Sequence, residues 1–435
     1  MAEYSKQLFK NDFLDEKYEK YVHSSGLEIY VFPKELTSTY ALFGVKYGSI
    51  DNRFTSSEGK NITVPDGIAH FLEHKLFFNE DGTDSFERFS ELGADANAFT
   101  SNTKTAYLFS CTDGFEASLE ELINFVTHPY FTPQSVESEI GIISEEIQMY
   151  EDNPSCRCYQ AMLEAMYASH SVKKNVAGSL ESIRNITSDM LYDCYHSFYK
   201  PSNMALVVCG KVTSDQVLQI VDKCLPDSFS GKCAQRINEN LTEPREVVST
   251  YTEQQMKISK PMFCVGIKDT DIPDDPMLRA KKDAVMSILN ETLFSAAGSF
   301  YNDMFEKNII SPALVSGYTI TDTFAHFTIE GEADDPSLFL ECLTAYIEKL
   351  KLCGIDRQDF DRAKKVMFSE QVKGFDSTEG IGDAIFSCAY DGIGVFDYFE
   401  TLNSVSYDDV QNSFIEFFRS PSITLSVINP INTNN

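Results

Sequence analysis

No stretch of this 435-residue chain approaches the roughly 20 consecutive apolar residues that a membrane-crossing helix needs. Its first residues, MAEYSKQLFKNDF, carry no basic-then-apolar leader. Both absences set a cytoplasmic location as the expectation. Positive charge is also scarce, with 36 Lys and Arg against 66 Asp and Glu and a net charge of −30. A surface of that sign argues against nucleic acid and anionic membranes as partners. It is compatible with basic peptides, and equally with plain solvation. The 11 cysteines are odd in number and irregularly spaced, which points to reduced thiols rather than a disulfide framework. Cys156 and Cys158 of CRC stand too close for a zinc finger, have no partner pair, and read as structural. There is no low-complexity segment.

Histidine numbers seven, and two of these fall in GIAHFLEHKLFF, residues 67–78. His70 and His74 are four apart and share one face of a helix, with Glu73 between them. Ile68, Leu72 and Leu76 supply the apolar stripe of that helix, which follows the turn signal VPDG.

Around the motif, the first 110 residues alternate strand and helix. GLEIYVFP (26–33) and YALFGVKYGS (40–49) read as adjacent strands, and SFERFSELG as a helix stopped by Gly93. ADANAFTSNTKTAYLFSCT (94–112) reads as two strands joined around Asn102. Thr132 as N-cap and Pro133 at the first helical position start a helix of about five turns, PQSVESEIGIISEEIQMYED, which breaks at Pro154. FYKPSNMALVV (198–208) and FFRSPSITLSV (417–427) align without a gap, each behind an amphipathic helix. Their offset is half the chain, as a tandem repeat of one α/β domain would give. The fold expected is therefore α+β. It consists of two similar α/β domains with mostly antiparallel sheets flanked by helices, residues 1–230 and 231–435, joined through the polar stretch 227–246. The second half holds one histidine, His326, and no copy of the motif. Any metal site belongs to the first.

Two imidazoles on one helical face can take two corners of a zinc tetrahedron, and a catalytic site adds a third protein ligand and an open position. The long helix after Pro133 offers Glu139 and Glu146, seven apart on one face, with Glu145 turned about 100° away. Two neutral histidines and a carboxylate leave zinc a net positive charge that brings the pKa of bound water towards ~7. Glu73 is placed to accept that proton and pass it to a leaving amine. In the familiar zinc-peptidase motif the glutamate follows the first histidine; here it precedes the second. The plain alternative is a polar patch on a helix and a solvated Glu-Glu pair.

GIAHFLEHKLF, LGADANAFTSNTKTAY, ESEIGIISEEIQMYEDNP and FYKPSNMALVVCG together resemble the pitrilysin/insulinase/mitochondrial-processing-peptidase family of inverted-motif zinc peptidases. The likeness covers residues 26–210 and extends to a bacterial cytosolic subgroup of about this length. It implies a zinc peptidase with one Zn2+ per chain, His70 and His74 as ligands, and Glu73 as general base. By position relative to IQMYED it implies Glu146 as third ligand, with Glu139 as a supporting carboxylate of the catalytic apparatus. It places Asn97, Ala98 and Phe99 on an edge strand to which a peptide substrate adds.

The resemblance also implies a repeated α/β domain forming half of a clamshell. Four such domains close a chamber, so this chain requires a second one, a copy or a relative. Family members commonly carry an arginine and, seven residues on, a tyrosine in the second domain; MFEKNIISPAL has Phe305 and Pro312 there. Tyr318 is a candidate substitute, or simply a strand tyrosine. The function expected is endoproteolysis of short or unfolded peptides in a closed chamber. The rival is a zinc-holding structural or peptide-binding subunit without significant hydrolysis. That rival is weakened because degenerate subunits of the family typically lose ligands, and none is missing here.

Overall fold

Runs such as EIYVFP and MALVVCG are apolar at consecutive positions, which suits strands covered on both faces. In the computed structural model, which describes residues 3–237 and 243–431, they lie inside a seven-stranded sheet. Its strands are β1 (Tyr4–Asn11), β2 (Glu16–His23), β3 (Glu28–Pro33), β4 (Thr39–Val45), β7 (Asp95–Thr100), β8 (Thr105–Cys111) and β9 (Met204–Gly210). They are ordered β1-β2-β3-β9-β4-β8-β7, and the β3–β9 pair is parallel while the others are antiparallel. β9 thus inserts between β3 and β4, which are not neighbours as their sequence proximity suggested. A small sheet joins β5 (Arg53–Thr55) to β6 (Asn61–Thr63) and to β10 (Gln235–Arg236). The polar stretch 227–246 thus contributes a short strand, and its residues 238–242 lie outside the described residues.

A second sheet has β11 (Tyr251–Met256), β12 (Met262–Asp269), β13 (Val315–Ile320), β14 (Ala325–Glu332) and β15 (Ser422–Pro430), in the order β11-β15-β12-β14-β13. Its only parallel pair is β11–β15. This repeats β3-β9-β4-β8-β7 strand for strand. FYKPSNMALVV and FFRSPSITLSV therefore end in equivalent strands, β9 and β15, each flanked by one parallel and one antiparallel neighbour. The duplication is real, and the sheets are mostly antiparallel as expected.

The chain divides into two compact units. One comprises Met1–Ile147, Asn175–Glu239 and Val372–Phe396; the other comprises Gln148–Lys174, Asn240–Gln371 and Asp397–Asn435. A single junction between residues 230 and 231 does not describe this division, because each unit takes a piece from the other half of the sequence. The helix Thr378–Asp391 packs on β4 and β9, and the helix Pro154–Met166 packs on β12 and β15. In each case a glycine makes room. A Cβ at Gly44 would stand 2.1 Å from the Phe386 ring, and one at Gly266 would stand 2.3 Å from the Met162 sulfur. Gly44 pairs with Ala205 and Gly266 with Thr424, so both glycines occupy the same position of the repeat. An amphipathic helix does not encode which sheet it will cover, and this is why the exchange is invisible in the sequence.

In the second unit Phe263, Ile267, Leu289, Phe327, Leu343 and Phe414 form part of one buried cluster. Tyr318 packs against that cluster and its hydroxyl donates to Asp269 at 2.7 Å, so it is an engaged strand tyrosine rather than a free clamp. Phe305 is exposed and stacks on Tyr301, whose hydroxyl donates to the Pro312 carbonyl. None of the eleven cysteines, all of them among the described residues, forms a disulfide.

Candidate metal centre

The motif helix runs Ile68–Leu76 and buries Ile68, Phe71, Leu72 and Leu76. Its start is fixed by Gly67, which has a left-handed φ of 89°. A Cβ there would stand 2.4 Å from the Ala177 carbonyl oxygen, so backbone and helix entry meet where only glycine fits. The long helix Pro133–Asp152 begins where the Ser135 N–H donates to the Thr132 hydroxyl. It buries Val136, Ile143 and Ile147, and that stripe sets the rotation of the glutamates.

The two helices bring their polar faces together. His70 Nε2 lies 3.5 Å from Glu146 Oε1, and His74 Nε2 lies 3.5 Å from Glu146 Oε2. One ligand atom from each of His70, His74 and Glu146 falls within 4.8 Å of the others, the one such metal-capable group among the described residues. Glu145 is exposed on the neighbouring flank of the helix. The other nitrogen of His74, Nδ1, is 3.1 Å from Glu139 Oε1, and Glu139 Oε2 accepts from buried Lys75 at 3.0 Å. The Glu73 carboxylate accepts from the Thr100 hydroxyl at 2.6 Å.

The donor set suits zinc. Nitrogen and oxygen ligands about 2.0–2.2 Å from zinc stand about 3.3–3.5 Å apart at tetrahedral corners. The two 3.5 Å separations match that spacing and are too long for good hydrogen bonds. His70 Nδ1 is buried without a hydrogen-bond partner. His74 has the carboxylate on its far nitrogen that orients a metal-binding imidazole.

Burial sets the electrostatics and partners modify it. Burial pushes the Glu73 carboxyl up from its ordinary value, against the Thr100 hydrogen bond and the pull of His70 and His74. For His74, burial acts downward, but the hydrogen bond to Glu139 and the nearby Glu73, Glu139 and Glu146 carboxylates prevail and raise it. Burial likewise opposes ionisation of Glu139, yet its bonds to His74 and Lys75 hold the carboxyl below its usual range.

β7 is an edge of the seven-stranded sheet, bonded among the described residues to β8 alone. Along it Asn97 and Phe99 are exposed, and Ala98 alternates to the face it shares with Thr100. Two residues that contact this group carry little signal in the sequence: Thr100 has only the period-two alternation with Ala98, and Lys75 nothing beyond its place after the second histidine.

A doubled α/β fold carrying His-x-x-Glu-His on one helix against a glutamate of a second defines the inverted-motif class of zinc peptidases. Residues 57–179 match the profile of the insulinase family, peptidase family M16, and residues 185–367 match that of the peptidase M16 inactive domain. The second match contains none of His70, Glu73, His74 or Glu146. The chain is 38% identical over 411 residues to the uncharacterized zinc protease YmfH of Bacillus subtilis, covering 94% of this chain and 95% of that one. It is 25% identical over 320 residues to the uncharacterized zinc protease YmxG of the same organism, covering 72% and 75%. The crystal structure of a putative M16-like peptidase from Alicyclobacillus acidocaldarius superposes with a TM-score of 0.89 at 27% identity over 99% of both chains. The chain belongs to peptidase family M16, in its YmfH-like subgroup.

Proposed function

We propose that this chain is a zinc-dependent endopeptidase acting on short or unfolded peptides, with one Zn2+ held by His70 Nε2, His74 Nε2 and the Glu146 carboxylate. The observation that carries the reading is the convergence of both Nε2 atoms on Glu146, with the Glu73 carboxylate one residue from His74. Zinc held by these three residues would supply Lewis-acid polarisation of a carbonyl and a lowered pKa of bound water.

The protein's own groups do the rest. An extended peptide adds to the free edge of β7 along Asn97, Ala98 and Phe99, and main-chain hydrogen bonds fix its register. Glu73 takes a proton from the attacking water and delivers it to the leaving amine nitrogen; its upward-shifted carboxyl holds that proton better than an exposed glutamate would. Glu139 fixes the ring of His74 through Nδ1 and is itself fixed by Lys75.

The proposal includes a second chain, a copy or a relative, because the family resemblance calls for four α/β domains around the chamber and this chain supplies two. The altered Phe305–Pro312 stretch supports a contribution of that partner to substrate binding. Cysteines that form no disulfide among the described residues support the cytoplasm as the compartment, and no helix of the described residues is long and apolar enough to cross a membrane.

The test is cleavage of a short unstructured peptide and of a compact folded protein, with and without a zinc chelator, alongside sedimentation of the same preparation. The expected result is chelator-sensitive cleavage of the peptide alone by a dimer. A fully active monomer, or ready cleavage of folded domains, contradicts the chamber; activity untouched by complete zinc removal contradicts the chemistry.

A further inference from the structure

Thr100 closes β7, and its Oγ1 lies 2.6 Å from Glu73 Oε2 and 3.2 Å from Thr105 Oγ1. Thr105 is buried and its own proton goes to the Tyr47 carbonyl at 2.9 Å. The Thr105 oxygen is therefore left as an acceptor, and so is an ionised carboxylate. Thr100 has one proton to give, and the shorter contact to the charged partner takes it. Among the described residues this is the one hydrogen bond that Glu73 accepts.

The turn behind Thr100 is fastened on several sides. Ser49 N–H donates to the Ser101 carbonyl and Ile50 N–H to the Asn102 carbonyl, each at 3.0 Å. Gly48 lies so close that a Cβ would stand 2.5 Å from the Asn102 and Thr103 backbone. The Tyr390 hydroxyl donates to the Thr103 carbonyl at 2.6 Å. A hydroxyl mounted this way has a fixed direction.

We infer that Thr100 is a positioning residue for Glu73. Its hydroxyl holds Oε2 and so presents Oε1 to the water and then to the leaving amine. The inference rests on the peptidase reading above and adds to it a residue that touches neither substrate nor metal.

The experiment compares wild type with Thr100→Val, which keeps the shape and removes the hydroxyl, and Thr100→Ser, which restores it. Zinc content, kcat and KM are measured on a fluorescence-quenched pool of short unstructured peptides. The infrared carboxylate band of Glu73 is isolated in zinc-free protein by difference against Glu73→Gln. Expected for Thr100→Val are full zinc, unchanged KM, a kcat lower by about ten- to a hundredfold, and a shifted band. Expected for Thr100→Ser is recovery of both kcat and band. An active wild type equalled by Thr100→Val, an unshifted band, equal losses in both variants, or loss of zinc in Thr100→Val each overturns the inference. A zinc-loaded wild type that cuts no peptide overturns the peptidase reading instead, and the zinc-free band still reports on the contact.

Discussion

The Nδ1 atom of His74 lies 3.1 Å from Oε1 of Glu139, a contact between the motif helix and the long helix that fixes the ring whose other nitrogen faces Glu146. A carboxylate in that place holds the tautomer and raises the basicity of the ligating nitrogen. Glu139→Gln should lower zinc affinity about 10–100-fold without removing a ligand. Glu146→Ala and His70→Ala should abolish stoichiometric binding, and Glu145→Ala should leave it intact, since Glu145 is exposed on the adjacent flank. Zinc titration of the four variants checks this. Loss of zinc from Glu145→Ala with retention in Glu146→Ala would reverse the assignment.

The equivalent glycines predict an asymmetric cost. Gly44→Ala forces its methyl against the end of the buried Phe386 ring, whereas Gly266→Ala meets the flexible tips of Met162 and Met166. Overpacking of a closed core costs about 1–3 kcal/mol, and methionine gives way more readily than phenylalanine. Denaturant unfolding should show Gly44→Ala near the upper end of that range and Gly266→Ala below it. A second change, Phe386→Leu, should recover part of the Gly44→Ala loss. Equal, negligible effects at both glycines would contradict the packing described.

His326 gives the second unit a pH dependence. The ring is buried, with Nδ1 3.0 Å from the Tyr167 hydroxyl and Nε2 3.3 Å from that of Tyr159. Burial, and secondarily the neighbouring His170, lowers its pKa from 6.5 to about 4. The unfolded chain therefore binds a proton below 6.5 that the folded chain refuses until about 4. Stability contributed by the neutral ring is full above 6.5 and is lost as pH falls towards 4. Between about pH 7 and about pH 5 the loss should approach about 2 kcal/mol. His326→Gln should flatten that part of the stability profile. A variant as acid-sensitive as wild type over the same interval would contradict the assignment.

Features that depend on short-range periodicity were legible in the sequence, and those that depend on long-range packing were not. That His70 and His74 share a helical face with Glu73 between them follows from spacing, and Glu139 and Glu146 share a face because seven residues make nearly two turns, whereas the roles proposed for them rest on the family resemblance. β7 and β8 around Asn102, and the matching strands β9 and β15, follow from local alternation and a recurrent phrase. The Thr100 contact depends on which strand residue meets which turn of the motif helix. The exchanged helices Pro154–Met166 and Thr378–Asp391 look like any amphipathic helix, and their destinations are set by Gly44 and Gly266, two unremarkable positions in apolar runs. Nothing in the polar stretch 227–246 signalled that Gln235 and Arg236 pair with β5.

The most direct measurement is peptide hydrolysis by Glu73→Gln, with zinc content determined on the same sample. The amide keeps the shape of the side chain and can still meet the Thr100 hydroxyl, but it cannot take a proton from water. Full zinc with hydrolysis reduced by at least ~10² is the predicted result. Wild-type hydrolysis by a fully zinc-loaded Glu73→Gln protein would contradict the account, and loss of zinc would make Glu73 a ligand rather than the base.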